Sequence, residues 1–561
     1  ESGVRVNPES ISLWTDLGNL YREQMKSEKA AACYKKTIDL DPNCAGPHFN
    51  LGNALSDQGR YREAVSAYRA AVGLDPGYAA AYNNMGNVFY AQGQLQKAVK
   101  CYEQALKAKY DYPDALKNMG LAFEKQGLIS HAIDCYRLTL SLNPADAGCH
   151  SGLLFAMHYA PKLTNRDILA ESQSWWRQHG EVHACRCRRH NRFDPSKRLR
   201  VGYVSADFRM HSVSHFFLPL LEGHSEAVET FCYANVRRPD QMTARIKGLA
   251  DHWHSIVGKS DAAVARQIAE GGIDILVDLS GHTANNRLPV FARRPAPIQM
   301  TWLGYPNTTG MPVMDYRLTD DIADPAGEAD QYHTERLIRL PKGFLCYSPP
   351  EGGADVSSLP ALRHGRVTFG SFNNLSKVNE RVIEVWAMIL KKVPESSLIL
   401  KSKPLADERI RLRYLEMFSR YGISSDRIDF RAYATSVQEH LSLYNQVDIG
   451  LDPFPYNGAT TTCEALWMGV PVITLKGDRH SSRVGASILT RVGFEDLISD
   501  TKEGYVKTAR SLAVNLDKLK ELRSVIRNRM EESPLCDARF FAGRMEAVYR
   551  DIWMKECEKA Q

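Results

Sequence analysis

The chain has 561 residues, 44% of them hydrophobic and 24% charged, with a formal net charge of +6. This composition excludes a disordered or fibrous chain, and at roughly 100–200 residues per domain the length excludes a single core. No stretch reaches the roughly 18–20 uninterrupted apolar residues of a spanning helix; even GGIDILVDLSG carries Asp274 and Asp278, so no membrane is expected.

Residues 1–150 repeat with a period of 34: Gly18, Gly52, Gly86 and Gly120; Ala30, Ala64, Ala98 and Ala132; Tyr34, Tyr68, Tyr102 and Tyr136. Pro8, Pro42, Pro76 and Pro144 keep the same phase, and Gly59, Gly93 and Gly127 mark turns between paired helices. The period and consensus resemble the tetratricopeptide repeat, which predicts helix hairpins stacked into a superhelix with an inner groove. Asp16, Asn50, Asn84 and Asn118 share one inner register, each two residues before its Gly. Carboxamides so spaced either hydrogen-bond the backbone of an extended peptide or tie adjacent helices together.

Residues 151–198 stay helical in pattern, in SGLLFAMHY and RDILAESQSWWRQHGEVH, without the period, and read as an adapter and linker. Between Arg186 and Arg200 seven basic residues stand against Asp194 alone, so this segment's surplus equals the net charge of the whole chain. A basic linker differs from a basic protein, and no nucleic-acid module is found. His183, Cys185, Cys187 and His190 lie close together, but Cys-x-Cys is not the usual zinc spacing and no second pair follows, so no metal is expected. The twelve cysteines are scattered, with Cys33, Cys101 and Cys135 in helical patterns, which suits reduced thiols in a cytoplasmic protein, or a nucleocytoplasmic one in a eukaryote. The chain opens on Glu1 rather than Met, which leaves room for an upstream targeting segment.

Two series of strand-like runs alternating with helical segments follow. The first, over 199–347, holds LRVGYVSADF, ETFCYANV, IDILVDLSG, IQMTWLG and YRLTDD; the second, over 365–561, holds RVTFGSF, SSLILKSK, RIDFRAY, DIGLDPF and PVITLKG. A Pro/Gly/Ser-rich connector, 348–364, separates them. The fold expected is therefore an α-helical repeat superhelix followed by two doubly wound parallel sheets, the architecture of the type B glycosyltransferase fold, with ligand between the facing strand ends. Architecture alone assigns no chemistry.

Three clusters carry chemistry. In DPFPYNGATTTCEALW a strand ends at Asp452, and Thr460, Thr461 and Thr462 open a helix whose free N–H groups and dipole suit a diphosphate, while Glu464 stands one turn in, within reach of a ribose diol. Alternatively Thr460 is only an N-cap. In TFGSFNNLSK, Asn373, Asn374 and Lys377 follow another strand; a lysine there can neutralise a departing nucleoside diphosphate, unless it is an ordinary solvated one. In VSADFRMHSVSHFF, Asp207, His211 and His215 stand just past a strand end, where imidazole can orient or deprotonate an acceptor hydroxyl. A metal reading of these histidines lacks a third ligand nearby.

Together with the repeats, LRVGYVSADF, GHTANNRLPVFARRPAPIQMTWLGYPNTTG, TFGSFNNLSK and YNGATTTCEALWMGVPVITL resemble the O-linked N-acetylglucosamine transferase family, in its Spindly-like branch, over essentially the whole chain. The resemblance implies an inverting protein O-glycosyltransferase that needs no metal or other cofactor and moves N-acetylglucosamine from UDP-GlcNAc to Ser/Thr hydroxyls. It implies acceptor proteins held in extended form by the repeat groove through Asn50, Asn84 and Asn118. It places His211 at the acceptor with Asp207 beside it, and Lys377 at the leaving group. Asn374, Thr460, Thr461 and Thr462 would lie along the diphosphate, Glu464 at the ribose, His440 at the base and Leu303, Gly304 and Pro306 at the sugar; His150 would be a further active-site histidine. Ala459 and Val437 replace a uracil-stacking His and a base-contacting Lys of the animal members. HTANN, NTTG and SFNNL are similar to plant Spindly, a protein O-fucosyltransferase, which makes GDP-fucose the alternative donor. A repeat scaffold with an inactive transferase half, and a transferase of small molecules or glycans, are the competing classes.

Overall fold

The computed structural model describes residues 2–184, 193–350 and 352–560. The chain divides into two compact units, one of Glu1–Pro144 with the short segment Ala406–Ile410, and one of Ala145–Leu405 with Arg411–Gln561.

The first unit consists of antiparallel helix pairs: Ile11–Glu23 with Ser27–Leu40, Ala45–Asp57 with Tyr61–Leu74, Ala79–Ala91 with Leu95–Ala108, and Pro113–Lys125 with Ile129–Leu142. The 34-residue period has a direct physical cause. A Cβ added at Gly18, Gly52, Gly86 or Gly120 would lie 2.5–2.7 Å from the ring of Tyr34, Tyr68, Tyr102 or Tyr136 respectively. Each ring fills the space that a β-carbon on the glycine would need, and its hydroxyl donates to Asn19, Asn53, Asn87 or Glu124 on the same glycine-bearing helix. The turns between paired helices need a left-handed residue, supplied by Gly59, Gly93 and Gly127 and, at the same phase of the first pair, by Met25. Gly86→Ala is therefore expected to cost about 1–3 kcal/mol through the displaced Tyr102 ring. Gly73→Ala, in open space on a helix, should be neutral or gain about 0.5–1 kcal/mol; chemical unfolding of the two variants distinguishes them.

The second unit holds two parallel sheets. The first contains β1 (Leu199–Ser205), β2 (Val228–Ala234), β3 (His252–Ser255), β4 (Ile275–Asp278), β5 (Ile298–Thr301), β6 (Tyr316–Thr319) and β7 (Arg336–Arg339), in the order 3-2-1-4-5-6-7. The second contains β8 (Thr368–Ser371), β9 (Ser397–Lys401), β10 (Ile428–Arg431), β11 (Ile449–Leu451), β12 (Val472–Leu475) and β13 (Ile498–Ser499), in the order 10-9-8-11-12-13. Strand order reverses between β1 and β4 in one sheet and between β8 and β11 in the other, and doubly wound sheets bind ligands at such switch points.

Treating 365–561 as one lobe needs correction at its end. The helix Ala538–Ala560 packs on the first sheet: Tyr549 bonds Tyr203 at 3.2 Å, Glu546 takes His224 and the Ser225 N–H at 3.0 and 2.7 Å, and Trp553 donates to the Asp194 carbonyl. Gly223 makes room for it, since a Cβ there would sit 2.5 Å from the Ala538 oxygen. The last helix thus ties the lobes together through backbone and buried tyrosines. Among the described residues no helix is long and apolar enough to cross a membrane.

Candidate active site

The second lobe's switch point brings together the residues after β8 and those after β11. Lys377 Nζ donates to the Asn457 carbonyl at 2.7 Å and lies 4.3 Å from the centroid of the Tyr456 ring. Burial pushes its ammonium below the ordinary lysine range, and Asp452 opposes that shift. Asp452 is itself 1% exposed, and burial pushes its carboxyl upward against hydrogen bonds from the Thr474 hydroxyl and, at 2.6 Å, the Gly458 N–H. The pair stabilises a cation where a surface lysine would have been the default.

The helix Thr460–Trp467 starts beside this lysine. Its N-cap is Ala459, whose side chain cannot cap, so Thr460 is the first helical residue and its buried Oγ1 has no hydrogen-bond partner. The capping role considered for Thr460 is not realised. Thr461 Oγ1 donates to Asn373 Oδ1 at 3.1 Å, joining the two loops, and Thr462 is buried. Gly458 permits the close turn: a Cβ there would stand 2.6 Å from the hydroxyls of both Thr461 and Thr462. Asn374 Oδ1 accepts from the Ser376 N–H at 3.3 Å and shapes the turn that delivers Lys377. The cluster offers an ammonium, uncapped helix N–H groups and hydroxyls around one point, which suits a diphosphate.

Glu464 and His440 are joined by a 2.9 Å bond from Nε2 to Oε2, and the Tyr444 hydroxyl donates to the same carboxylate oxygen at 3.3 Å. Lys401, which sequence reasoning missed, donates to His440 Nδ1, and its ammonium stands 5.6 Å from the Phe372 ring centroid. With Nδ1 accepting from the Lys401 ammonium, Nε2 is the ring nitrogen that donates to Glu464. The available signal was a lysine at the C-terminal end of SSLILK, facing the same switch point as Lys377.

In the first lobe Asp207 follows β1, 5% exposed, with Arg209 at 3.3 Å and His211 Nδ1 at 3.7 Å. His211 N-caps the helix Ser212–Gly223, its Nδ1 accepting from the Val213 N–H at 3.3 Å, and its side chain stays 36% exposed. His215 turns inward, with Nδ1 at 3.3 Å from the Ser348 carbonyl; burial lowers its pKa while Glu464 of the other lobe opposes the shift, so the lobes face each other here. After β5, Leu303 adopts a left-handed conformation at φ 80°, and a Cβ on Gly304 would meet the Leu279 carbonyl oxygen at 2.1 Å. Pro306 is buried beside them. A β-carbon residue held at positive φ in a strand-end loop marks a conformation imposed by its surroundings.

Two expectations change. His150 is 2% exposed, with Nδ1 bonded to His179 at 3.0 Å and Nε2 to Glu171 at 2.8 Å, so both ring nitrogens are committed inside the adapter and neither is open to an acceptor. In the repeats, Asn84 donates to Asn53 at 2.8 Å and Asn118 to Asn83 at 3.0 Å, each across to the preceding pair or its register. Each of these two spends one donor as a tie between helices, and of the three asparagines only Asn50 makes no such bond among the described residues. Of the cluster weighed for zinc, Cys185, Cys187 and His190 lie outside the described residues, and His183 Nδ1 meets Arg293 at 3.2 Å.

The glycosyl transferase family 41 model matches residues 182–348 and 358–545, and a TPR repeat model matches 18–59, 52–93 and 86–127. The chain is 40% identical over 427 residues to a Solanum lycopersicum protein described as a probable UDP-N-acetylglucosamine–peptide N-acetylglucosaminyltransferase SPINDLY, covering 75% of this chain and 45% of that one. A probable N-acetylglucosaminyltransferase of the same description, SEC of Arabidopsis thaliana, is 34% identical over 376 residues, covering 65% and 38%. The chain spans about half the length of the curated relatives it matches. Among solved structures, a Thermobaculum terrenum O-GlcNAc transferase carrying a lysine-to-methionine mutation superposes with a TM-score of 0.85 at 32% identity, covering 92% of this chain and 98% of that one.

Proposed function

The chain belongs to glycosyl transferase family 41, with tetratricopeptide repeats ahead of the transferase lobes, and from that premise we propose that it is an inverting protein O-glycosyltransferase acting on Ser/Thr hydroxyls. The observation that carries this reading is the junction of the β8 and β11 loops, where Lys377 bonds Asn457 and Asn373 bonds Thr461. An acceptor oxygen attacks the anomeric carbon, the bond to the diphosphate oxygen breaks on the opposite face, and configuration inverts. The charge that develops on the leaving diphosphate falls on Lys377, the hydroxyls of Thr460, Thr461 and Thr462 and the first N–H groups of their helix, without a metal ion. His211 orients the acceptor, with Asp207 behind it; Leu303, Gly304 and Pro306 bound the sugar. The acceptor's proton passes to His211, to a donor phosphate oxygen or to water, three routes with one product. The repeats hold the acceptor protein in extended form, and Asn50 is the residue of the inner register best placed to meet its backbone.

Glu464, with His440 and Lys401 behind it, holds the nucleoside. Glu464→Ala removes the acceptor of two hydrogen bonds and should raise the donor KM about 10–100-fold with a smaller change in kcat. A kcat loss with unchanged KM would place Glu464 elsewhere in the reaction.

UDP-N-acetylglucosamine is the donor that the relatives' descriptions favour. Ala459 and Val437, which supply neither a stacking ring nor a cation at the base, favour a second reading in which GDP-fucose is used. Thermal unfolding in the presence of UDP or GDP decides between them, since a nucleotide at about 100 times its Kd stabilises by about 2.7 kcal/mol. We expect UDP to raise Tm; a rise with GDP alone would transfer the assignment to the fucose donor, and a rise with neither would favour an inactive scaffold.

A further inference from the structure

Between the lobes, apart from every residue placed at the donor, lies a groove of about 460 Å³. Its walls come from the start of the adapter helix Asn165–Trp175, the loops around β6 and β7, and the loop after β12. The segments are already joined around it: Asn165 Nδ2 donates to the Asp478 carbonyl at 2.9 Å, Arg479 Nη2 to the Leu163 carbonyl at 2.5 Å, and His480 Nδ1 meets Asp324 Oδ2 at 2.7 Å.

Four buried atoms on residues lining this groove have no hydrogen-bond partner: Arg479 Nε and Nη1, Asn165 Oδ1 and His333 Nε2. Arg479 is 6% exposed, and its nearest carboxylate, Asp478, stands 3.5 Å from Nε and is 76% exposed. Asp324, the buried acid of the wall, is already engaged by His480 and by the Thr319 hydroxyl at 2.5 Å. The guanidinium therefore keeps an unmatched donor in the recess, and its one ion-pair partner, Asp478, is largely exposed to solvent. His333 Nδ1 lies 3.0 Å from the Ala329 carbonyl, so that nitrogen carries the proton and Nε2 is an acceptor; Asn165 Oδ1 is another. Each such buried group left unmatched costs about 1–3 kcal/mol. The thermodynamically matching occupant carries one anionic group and at least two hydroxyl donors. A groove of this volume lies within the range of small-molecule sites.

We propose that this groove is a second binding site, for a small hydroxylated anion of the sugar-acid or sugar-phosphate type, whose charged group meets Arg479 Nη1 and whose hydroxyls donate to Asn165 Oδ1 and His333 Nε2. Because its walls belong to the adapter and both lobes, such a ligand would brace the three segments against one another.

Calorimetric titration of the full chain with gluconate and with glucose 6-phosphate tests this. At least one should bind saturably; gluconate binding would identify a carboxylate site and glucose 6-phosphate binding a phosphate site. Affinity should stay within about twofold in Lys377→Met, which alters only the donor site, and fall by about tenfold or more in Arg479→Met and in Asn165→Leu, the loss expected for a charge-assisted hydrogen bond or an orphaned hydroxyl. Should Arg479→Met not fold, Asn165→Leu and His333→Phe carry the same comparison. Failure of both compounds to bind would overturn the proposal, leaving ordered water as the occupant. Binding that Lys377→Met removes and the groove variants keep would overturn it equally, by assigning the anion to the diphosphate site.

Discussion

Lys377→Met is expected to lower kcat for sugar transfer by about 10²–10³-fold or more while leaving the chain folded. The ammonium is held by the Asn457 carbonyl and the Tyr456 ring, within the field of Asp452, positioned before any donor arrives, so no reorganisation is needed when the diphosphate departs. Methionine keeps the length of the side chain and discards the charge. Losing the ammonium relieves its desolvation penalty but takes the opposing charge from buried Asp452, whose carboxyl burial already pushes toward the neutral form, so Tm should change little. The pH dependence follows with a definite sign. Only the protonated amine neutralises the leaving group, so the wild-type rate should fall as pH rises through the Lys377 pKa, which burial sets below that of an ordinary lysine. Single-turnover measurement across the alkaline range, alongside Tm of the variant, checks both halves. A variant that turns over normally would remove Lys377 from the leaving-group position.

Asp452→Ala should carry the largest stability cost at this site, about 3–5 kcal/mol. Removing the carboxylate strands a buried ammonium and also orphans the Gly458 N–H and the Thr474 hydroxyl that Asp452 accepts. Without its partner Lys377 loses the interaction that opposes desolvation, so the alkaline limb of any residual activity should move to lower pH. The double variant Asp452→Ala, Lys377→Met separates the two contributions: if the electrostatic coupling with Lys377 dominates, its destabilisation falls short of the sum of the single ones. Additive losses would mean that Asp452 acts through the Gly458 turn alone. Chemical unfolding of the four proteins completes the cycle.

Much of this was legible in the residues because it depends on local, repeated or strand-end signals. The 34-residue period is the trace of a glycine–tyrosine contact made four times over, and any self-comparison exposes it. Lys377 and Thr460–Thr462 announce themselves because each follows an apolar run that can only be a buried parallel strand. What escaped reading depends on partners distant in sequence. The return of Ala538–Ala560 to the first sheet rests on contacts such as Tyr549 with Tyr203, and nothing in the helix's own pattern says which lobe it covers. Lys401 gains meaning only once β9 and the helix of His440 are side by side. The family resemblance puts His150 in the active site, but its ring is held by His179 and Glu171, roughly a helix and a half later. The short strands β3, β7 and β13 lack the apolar run that identified the others; HWHS and RLIR carry polar or charged residues at half or more of their positions.

The most direct test of the account is transfer itself. Full-length chain is incubated with a mixture of acceptor proteins and either UDP-N-acetylglucosamine or GDP-fucose, beside the Lys377→Met variant, and modified Ser and Thr residues are mapped by mass spectrometry. An N-acetylhexosamine on Ser/Thr is expected from the UDP donor and is expected to be absent with the variant. A deoxyhexose from GDP-fucose in its place would change the donor and keep the enzyme; no Lys377-dependent sugar from either donor would contradict the assignment as a protein glycosyltransferase.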